Sequence, residues 1–229
     1  MHAHFTTEQA RYNMIEQQIR PWDVLDTRVL DVLKHIKREQ FVPVGYQALA
    51  FSDTELPIGH GQTMLSPKLE ARLLQAAALC PNDRVLEIGT GSGYMAALLG
   101  FTAAQVLSFE LHADLATQAQ SRLHAALLDN VSVVTACGFT SAAAHSGEGA
   151  WDLIMLSGSV PSAACLPASL LASLTVGGRL IAVVGDAASS PMMLAQRIKR
   201  VDTDTYTTET LFDTHAPALH NLSAKRFTF

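Results

Sequence analysis

The stretch Val85-Leu86-Glu87-Ile88-Gly89-Thr90-Gly91-Ser92-Gly93 decides how this chain is read. An apolar run carrying one acidic residue enters a Gly-x-Gly-x-Gly turn, and Tyr94 to Leu99 continue with helical character. Glycines permit the tight turn and let a ligand approach the backbone. The helix start that follows offers free N–H groups and a partial positive charge to an anionic group. Outward from the turn, β-rich runs at Val106 to Phe109, Val131 to Val134, Leu153 to Leu156 and Leu180 to Val184 alternate with helical segments. Together with Val85 to Ile88 they predict an α/β fold with a doubly wound, mainly parallel, Rossmann-like sheet. Met193 to Ile198 and Tyr206 to Phe212 are joined too closely for a crossover helix, so they predict a C-terminal antiparallel edge pair.

About twenty residues beyond the first glycine, at the end of the next strand, Glu110 stands where a carboxylate accepts hydrogen bonds from a ribose diol. A nucleoside cofactor follows from the two features together. The nicotinamide dinucleotide fingerprint, Gly-x-Gly-x-x-Gly, is the rival, but here the third glycine comes one position early. Glu87 would also set a negative charge near a pyrophosphate, whereas S-adenosylmethionine (SAM) carries a sulfonium and an ammonium. SAM is therefore the predicted cofactor. The plainer alternative, a sharp βα turn with no ligand, requires only one or two of these residues.

The rest of the chain predicts one domain over residues 1–229, with a helical cap and substrate loop in 1–66 and the cofactor-binding core in 67–229. Ile15 and Ile19, then Val29, Leu30, Leu33 and Ile36, have helical spacing on either side of the turn Arg20-Pro21-Trp22-Asp23. Val42 to Ser66 reads as a long loop punctuated by Pro43, Gly45, Pro57, Gly59 and Gly61, and its Phe51, Leu56 and Ile58 favour order and function over disorder. Ser66 before Pro67 is placed as the N-cap of the next helix. A net charge of −5 and the absence of a basic run beyond Lys34-His35-Ile36-Lys37-Arg38, read as a solvated helix end, argue against nucleic acid as a partner. Three scattered cysteines, Cys80, Cys137 and Cys165, argue for a reducing compartment and against a zinc site. Met1-His2-Ala3-His4-Phe5 has no apolar leader character, and Ala163 to Val184 is broken by Pro167 and Gly177-Gly178-Arg179. A cytoplasmic, non-membrane protein without a bound metal is expected, and its oligomeric state is left open.

Most of the chain resembles the protein-L-isoaspartate O-methyltransferase family, SAM-dependent enzymes that repair isoaspartyl damage in proteins. The resemblance is carried by Met14-Ile15-Glu16-Gln17-Gln18-Ile19, Arg38-Glu39-Gln40-Phe41-Val42-Pro43, the glycine turn, and Gly177-Gly178-Arg179-Leu180 with Val183-Val184-Gly185. Leu56-Pro57-Ile58-Gly59-His60-Gly61-Gln62-Thr63 carries its most family-specific element. The family pattern continues Ile-Ser-x-Pro, with the serine near the reacting carboxylate; here Met64-Leu65-Ser66-Pro67 puts Leu65 at that place. A family Gly-Asp-Gly, whose aspartate reaches the adenine amino group, is matched by Ala136-Cys137-Gly138, and a Thr-Ala-Ala-like run by Ser157-Gly158-Ser159.

The resemblance implies damaged protein or peptide as the methyl acceptor. A carboxylate acceptor is ionised near pH 7, so no general base is required. Glu87, Gly89, Thr90, Gly91, Ser92 and Gly93 are assigned to the methionine side of SAM, Glu110 and Leu111 to the ribose side, and Cys137 and Gly138 to the adenine edge. Gln62, Thr63, Met64 and Leu65 are expected over the methyl centre. His60 is a candidate base whose plainer role is structural. Two alternatives stand beside isoaspartyl repair: a methyltransferase with a changed acceptor, motivated by Leu65 and Ser157-Gly158-Ser159, and a non-catalytic SAM-binding module.

Overall fold

The computed structural model describes residues 6–146, 149–185 and 192–222; the leaderless reading of Met1 to Phe5 lies outside them. Helix α1 (Thr7–Asn13) runs on through a π-helical segment, Met14–Ile19, into a tight turn at Arg20–Trp22. Asp26 then caps α2 (Thr27–His35) by accepting the Arg28 N–H. Ile15, Ile19, Val29, Leu30, Leu33 and Ile36 are all buried, as their spacing predicts. The segment read as a loop from Val42 to Ser66 is different. It holds a 3-10 helix, Val44–Leu49, and a β-hairpin of β1 (Leu56–Gly59) and β2 (Gln62–Met64), with His60 at the tip in the left-handed region at φ 53°. Its glycine punctuation marks a hairpin turn.

α3 (Pro67–Ala77) leads into β3 (Arg84–Ile88), α4 (Tyr94–Thr102), β4 (Gln105–Glu110), α5 (Ala113–Ala125), β5 (Val131–Thr135), α6 (Gly138–Ser146), β6 (Trp151–Val160), α7 (Ala168–Ala172), β7 (Leu174–Val184), β8 (Met193–Asp202) and β9 (Thr205–Thr214). Seven strands lie in the order β5-β4-β3-β6-β7-β8-β9, parallel from β5 to β7 and antiparallel across β8 and β9. β3 is followed by β4 on one side and has β6 on the other, so the strand order reverses there and opens a crevice at the carboxyl ends of β3 and β6. One apolar cluster packs the N-terminal helices, α3 and α4 on one face; a second packs Phe139, Leu166 and Leu170 on the other. No helix among the described residues is long and apolar enough to cross a membrane.

Two local expectations are corrected. Ser66 occupies the cap position of α3 with extended backbone, and its carbonyl accepts the Glu70 N–H at 3.1 Å, but its hydroxyl makes no capping bond. Asp53, folded back by the preceding segment, instead accepts from the Lys68 N–H at 3.4 Å and pairs with the Lys68 ammonium at 2.7 Å. The cluster read as a solvated helix end divides: Lys34 and His35 are exposed in the last turn of α2 and Lys37 is exposed just beyond it, but Arg38 is not. Arg38 is fully buried, donating to the Ala50 carbonyl at 3.0 Å, to the Leu65 carbonyl at 2.8 Å and to the Glu70 carboxylate. A buried guanidinium requires that many acceptors, and only tertiary folding brings them together.

Candidate active site

The turn after β3 is bent by Gly89 at φ 96° and Gly91 at φ 51°, values that a side chain opposes. The Gly89 N–H donates to the Phe109 carbonyl at 2.9 Å, drawing the turn onto the end of β4. A Cβ on Gly89 would lie 2.7 Å from the Leu219 side chain, and one on Gly91 3.0 Å from that of Ile58. The turn is thus faced by the hairpin and by the C-terminal segment. Gly93, in cap position, passes the chain into α4.

Beneath the turn, Glu87 has no exposed surface. Its two oxygens accept from the Ser108 and Ser157 hydroxyls, each at 2.6 Å, and Ser108 in turn bonds Thr90 Oγ1 at 2.5 Å. Burial pushes the Glu87 carboxyl up to about 7, against the pull of the two hydroxyl donors. Glu110 at the end of β4 accepts the Gly91 N–H at 2.8 Å and the His112 N–H at 3.0 Å, one on each oxygen. Each carboxylate oxygen keeps a further lone pair for a ligand donor.

A cavity of about 640 Å³, open mouth included, lies against this turn. It brings together Gln62, Thr63, Gly89, Gly91, Glu110, Leu111, Cys137 and Gly138 of the residues expected from sequence. A smaller adjoining cavity of about 270 Å³ is lined by Met64, Leu65, Thr90 and Ser92, and it shares Thr63, Gly89, Gly91 and Ser157 with the first. Glu87 and Gly93 line neither cavity; Glu87 acts from below, holding Ser157 and Ser108 in place.

Other wall residues escaped the sequence reading. Ile88, Phe109, His112, Leu115 and Phe139 complete the larger cavity from the sheet side, and Pro217, Leu219 and His220 close it from the far end of the chain. That last segment is docked on β6, with Ser159 N–H on the Pro217 carbonyl at 2.7 Å and Leu219 N–H on the Ser159 carbonyl at 2.9 Å. Nothing in its composition signals this. Glu70 in the smaller cavity was missed as well, although a charged residue among Leu69, Ala71, Leu73 and Leu74 on a buried helix face was a readable signal.

The hairpin is fastened by side chains. His60 Nε2 lies 2.9 Å from Asp114 Oδ1, and its ring stacks on His112 at 4.0 Å. The Gln62 amide meets His220 Nε2 at 2.7 Å. Both His60 and Asp114 are exposed, and the histidine ring lies outside the cavity walls.

A family model described as protein-L-isoaspartate(D-aspartate) O-methyltransferase matches residues 9–215. The chain belongs to this family. Among its relatives, a protein-L-isoaspartate O-methyltransferase of Koribacter versatilis is 41% identical over 79% of this chain and 78% of the relative. The namesake of Brucella anthropi is 36% identical over 89% of this chain and 90% of its own. In three dimensions the chain is similar to a candidate protein-L-isoaspartate O-methyltransferase of Plasmodium falciparum solved with S-adenosyl-L-homocysteine, with a TM-score of 0.74 at 20% identity over 94% of this chain and 99% of that one. This last likeness shows the shared fold. Leu65 and Cys137 are the two positions at which the sequence reading expects this chain to depart from the family pattern. Leu65 is buried, and Cys137 is a half-buried free thiol on the larger cavity wall.

Proposed function

We propose that this chain is a SAM-dependent carboxyl O-methyltransferase acting on isoaspartyl residues of damaged proteins, and that it works in the cytoplasm without nucleic acid or membrane as partner. The observation that carries the reading is the cavity along the glycine turn with the Glu110 carboxylate on its wall, in a chain matched by the family model over residues 9–215. The residues suit the cofactor. A diol can donate to Glu110, while Gly89 and Gly91 leave backbone bare where Leu219 and Ile58 already crowd it. Gly138 and Cys137 border the remaining end, assigned to the adenine, with Phe139, Leu115 and Ile88. In this reading, residues 1–66 supply the cap and one wall, and residues 67–229 the cofactor core.

Bound there, SAM would supply a sulfonium methyl group for in-line displacement by a carboxylate oxygen, forming an O–CH3 bond as the S–CH3 bond breaks and leaving S-adenosylhomocysteine. The chain's own contribution is position and exclusion of water. The hairpin residues Gln62 and Thr63, with Ile58, roof the cavity, and Met64 and Leu65 present apolar surface in the smaller one. The acceptor carboxylate is already ionised, so no side chain has to remove a proton.

A changed acceptor is the second reading, favoured by the buried Leu65 side chain at a place where the family pattern has a hydroxyl. Transfer of labelled methyl from SAM to an isoaspartyl peptide, with its aspartyl twin and Gly91→Val as controls, decides between them. Transfer confined to the isoaspartyl peptide and lost in the variant supports repair. SAM binding without transfer, and no gain of transfer in Leu65→Ser, would overturn it in favour of another acceptor.

A further inference from the structure

The two cavities share the glycine turn but differ in chemistry. The larger holds Glu110 and the Cys137-Gly138 edge, the places read as ribose and adenine contacts. The smaller lies on the other side of the turn, toward α3, and must take the amino-acid end of the cofactor if the larger takes the nucleoside. Of the residues lining it, Thr63, Met64, Leu65, Thr90, Ser92, Met95 and Ser157 are apolar or neutral, and Glu70 is the single ionisable one. Glu87, the carboxylate that the sequence places nearest, is spoken for by two hydroxyls and does not reach either cavity.

We propose that Glu70 receives the α-ammonium group of SAM, in the smaller cavity between β2, α3 and the glycine turn. This rests on the SAM reading given above and deepens it. The Glu70 side chain is nearly inaccessible and is anchored through Oε2 to Nη1 of Arg38, whose Nε and Nη2 also donate to the Ala50 and Leu65 carbonyls. Arg38 therefore fixes the carboxylate from behind while leaving Oε1 for a donor arriving from the cavity. Burial penalises the charged form of Glu70 and Arg38 offsets part of that penalty; a ligand ammonium would offset more. The same contact would orient the methionine arm, and with it the methyl group, without a hydroxyl at position 65.

Binding of three probes to the full chain tests this: S-adenosylhomocysteine, its des-amino analogue, and 5′-methylthioadenosine, which lacks the whole amino-acid arm. Glu70→Gln is expected to weaken S-adenosylhomocysteine roughly ten- to a hundredfold, the range for a hydrogen bond to a charged group, and to leave the other two probes unchanged. Equal losses for all three would mean that Glu70 only supports the fold, and no loss for any would mean that the ammonium goes elsewhere; either result overturns the proposal. Failure of the unaltered chain to bind S-adenosylhomocysteine and methylthioadenosine would sink the cofactor reading itself, a separate outcome. Should the glutamine variant not fold, Glu70→Asp keeps the charge for Arg38 but withdraws the carboxylate by one methylene, and the same selective loss is expected.

Discussion

On the sheet side of the cleft, Ser108 joins Glu87 to Thr90 and Glu110 accepts the Gly91 N–H, all within β3, β4 and the turn between them, while Ser157 of β6 reaches Glu87 across 70 residues. On the cap side, Arg38 meets Glu70 across 32 residues, His60 meets Asp114 across 54 and Gln62 meets His220 across 158. Both sides bury a glutamate, yet they satisfy it differently: neutral hydroxyls from β4 and β6 for Glu87, a cation from a distant segment for Glu70. The first arrangement tolerates a protonated or an ionised carboxyl. The second depends on its partner. Burial raises both carboxyls above their ordinary range, so both walls respond to pH, and the guanidinium makes the cap side depend on one residue as well.

Arg38→Ala should break the cap side most severely. It leaves Glu70 buried beside the cavity and frees the carbonyls of Ala50 and Leu65, so a loss of about 3–5 kcal/mol of unfolding free energy is expected. Urea titration followed by circular dichroism checks it. A loss under about 1 kcal/mol would mean that the pair contributes little to holding the cap on the core.

Glu87→Gln tests the sheet side through pH. The Glu87 carboxyl ionises near 4.5 when unfolded but near 7 in the folded chain, so between those values the folded state keeps a proton that the unfolded state releases. Its contribution to stability is complete below about 4.5, declines as pH rises to about 7 and is flat beyond. The whole change amounts to roughly 3 kcal/mol. Subtracting the glutamine variant's stability curve from that of the unaltered chain should isolate this slope, since Glu70 remains in both. A flat difference would mean that Glu87 stays ionised on its two serines.

The same contrast explains what could be read in advance. Val85 to Gly93 and Glu110 are legible because turn, strand end and helix start are local features whose geometry follows from residue type, and the five-strand alternation with its antiparallel edge pair follows from period and spacing. The hairpin at Gly59-His60-Gly61 reads as loop in the sequence because its strands are only four and three residues long, too short for an alternation to register. Arg38 looked like a surface cation because its acceptors are carbonyls of residues 50 and 65, invisible to any local pattern. The docking of Pro217 to His220 depends on a bridge to β6 at Ser159, which likewise has no local sign. The placing of Glu87 was legible in the chain but not in space. Residue type suggested a ligand contact, and the strand's alternation turned its side chain into the layer beneath the turn.

The cap side also has a contact where little stability is at stake and kinetics are the sensitive measure. His60 and Asp114 are both exposed, and the Asp114 carboxyl is held below its ordinary range chiefly by its hydrogen bond to His60. Because the hairpin roofs the cavity, a ligand leaving it has to loosen this fastening together with the His60–His112 stack and the Gln62–His220 contact. Asp114→Asn keeps the size of the side chain and removes its charge. An unchanged melting temperature is expected, with release of S-adenosylhomocysteine faster by roughly two- to threefold, as suits one weak surface contact among several. Stopped-flow displacement measures it. If release were unchanged while Gln62→Ala accelerated it, the hinge of the roof would lie at the C-terminal segment, and the histidine stack would merely accompany the hairpin. If both variants accelerated release and their effects multiplied, the contacts to Asp114 and to His220 would open independently, and the cap would be a wall with two fastenings.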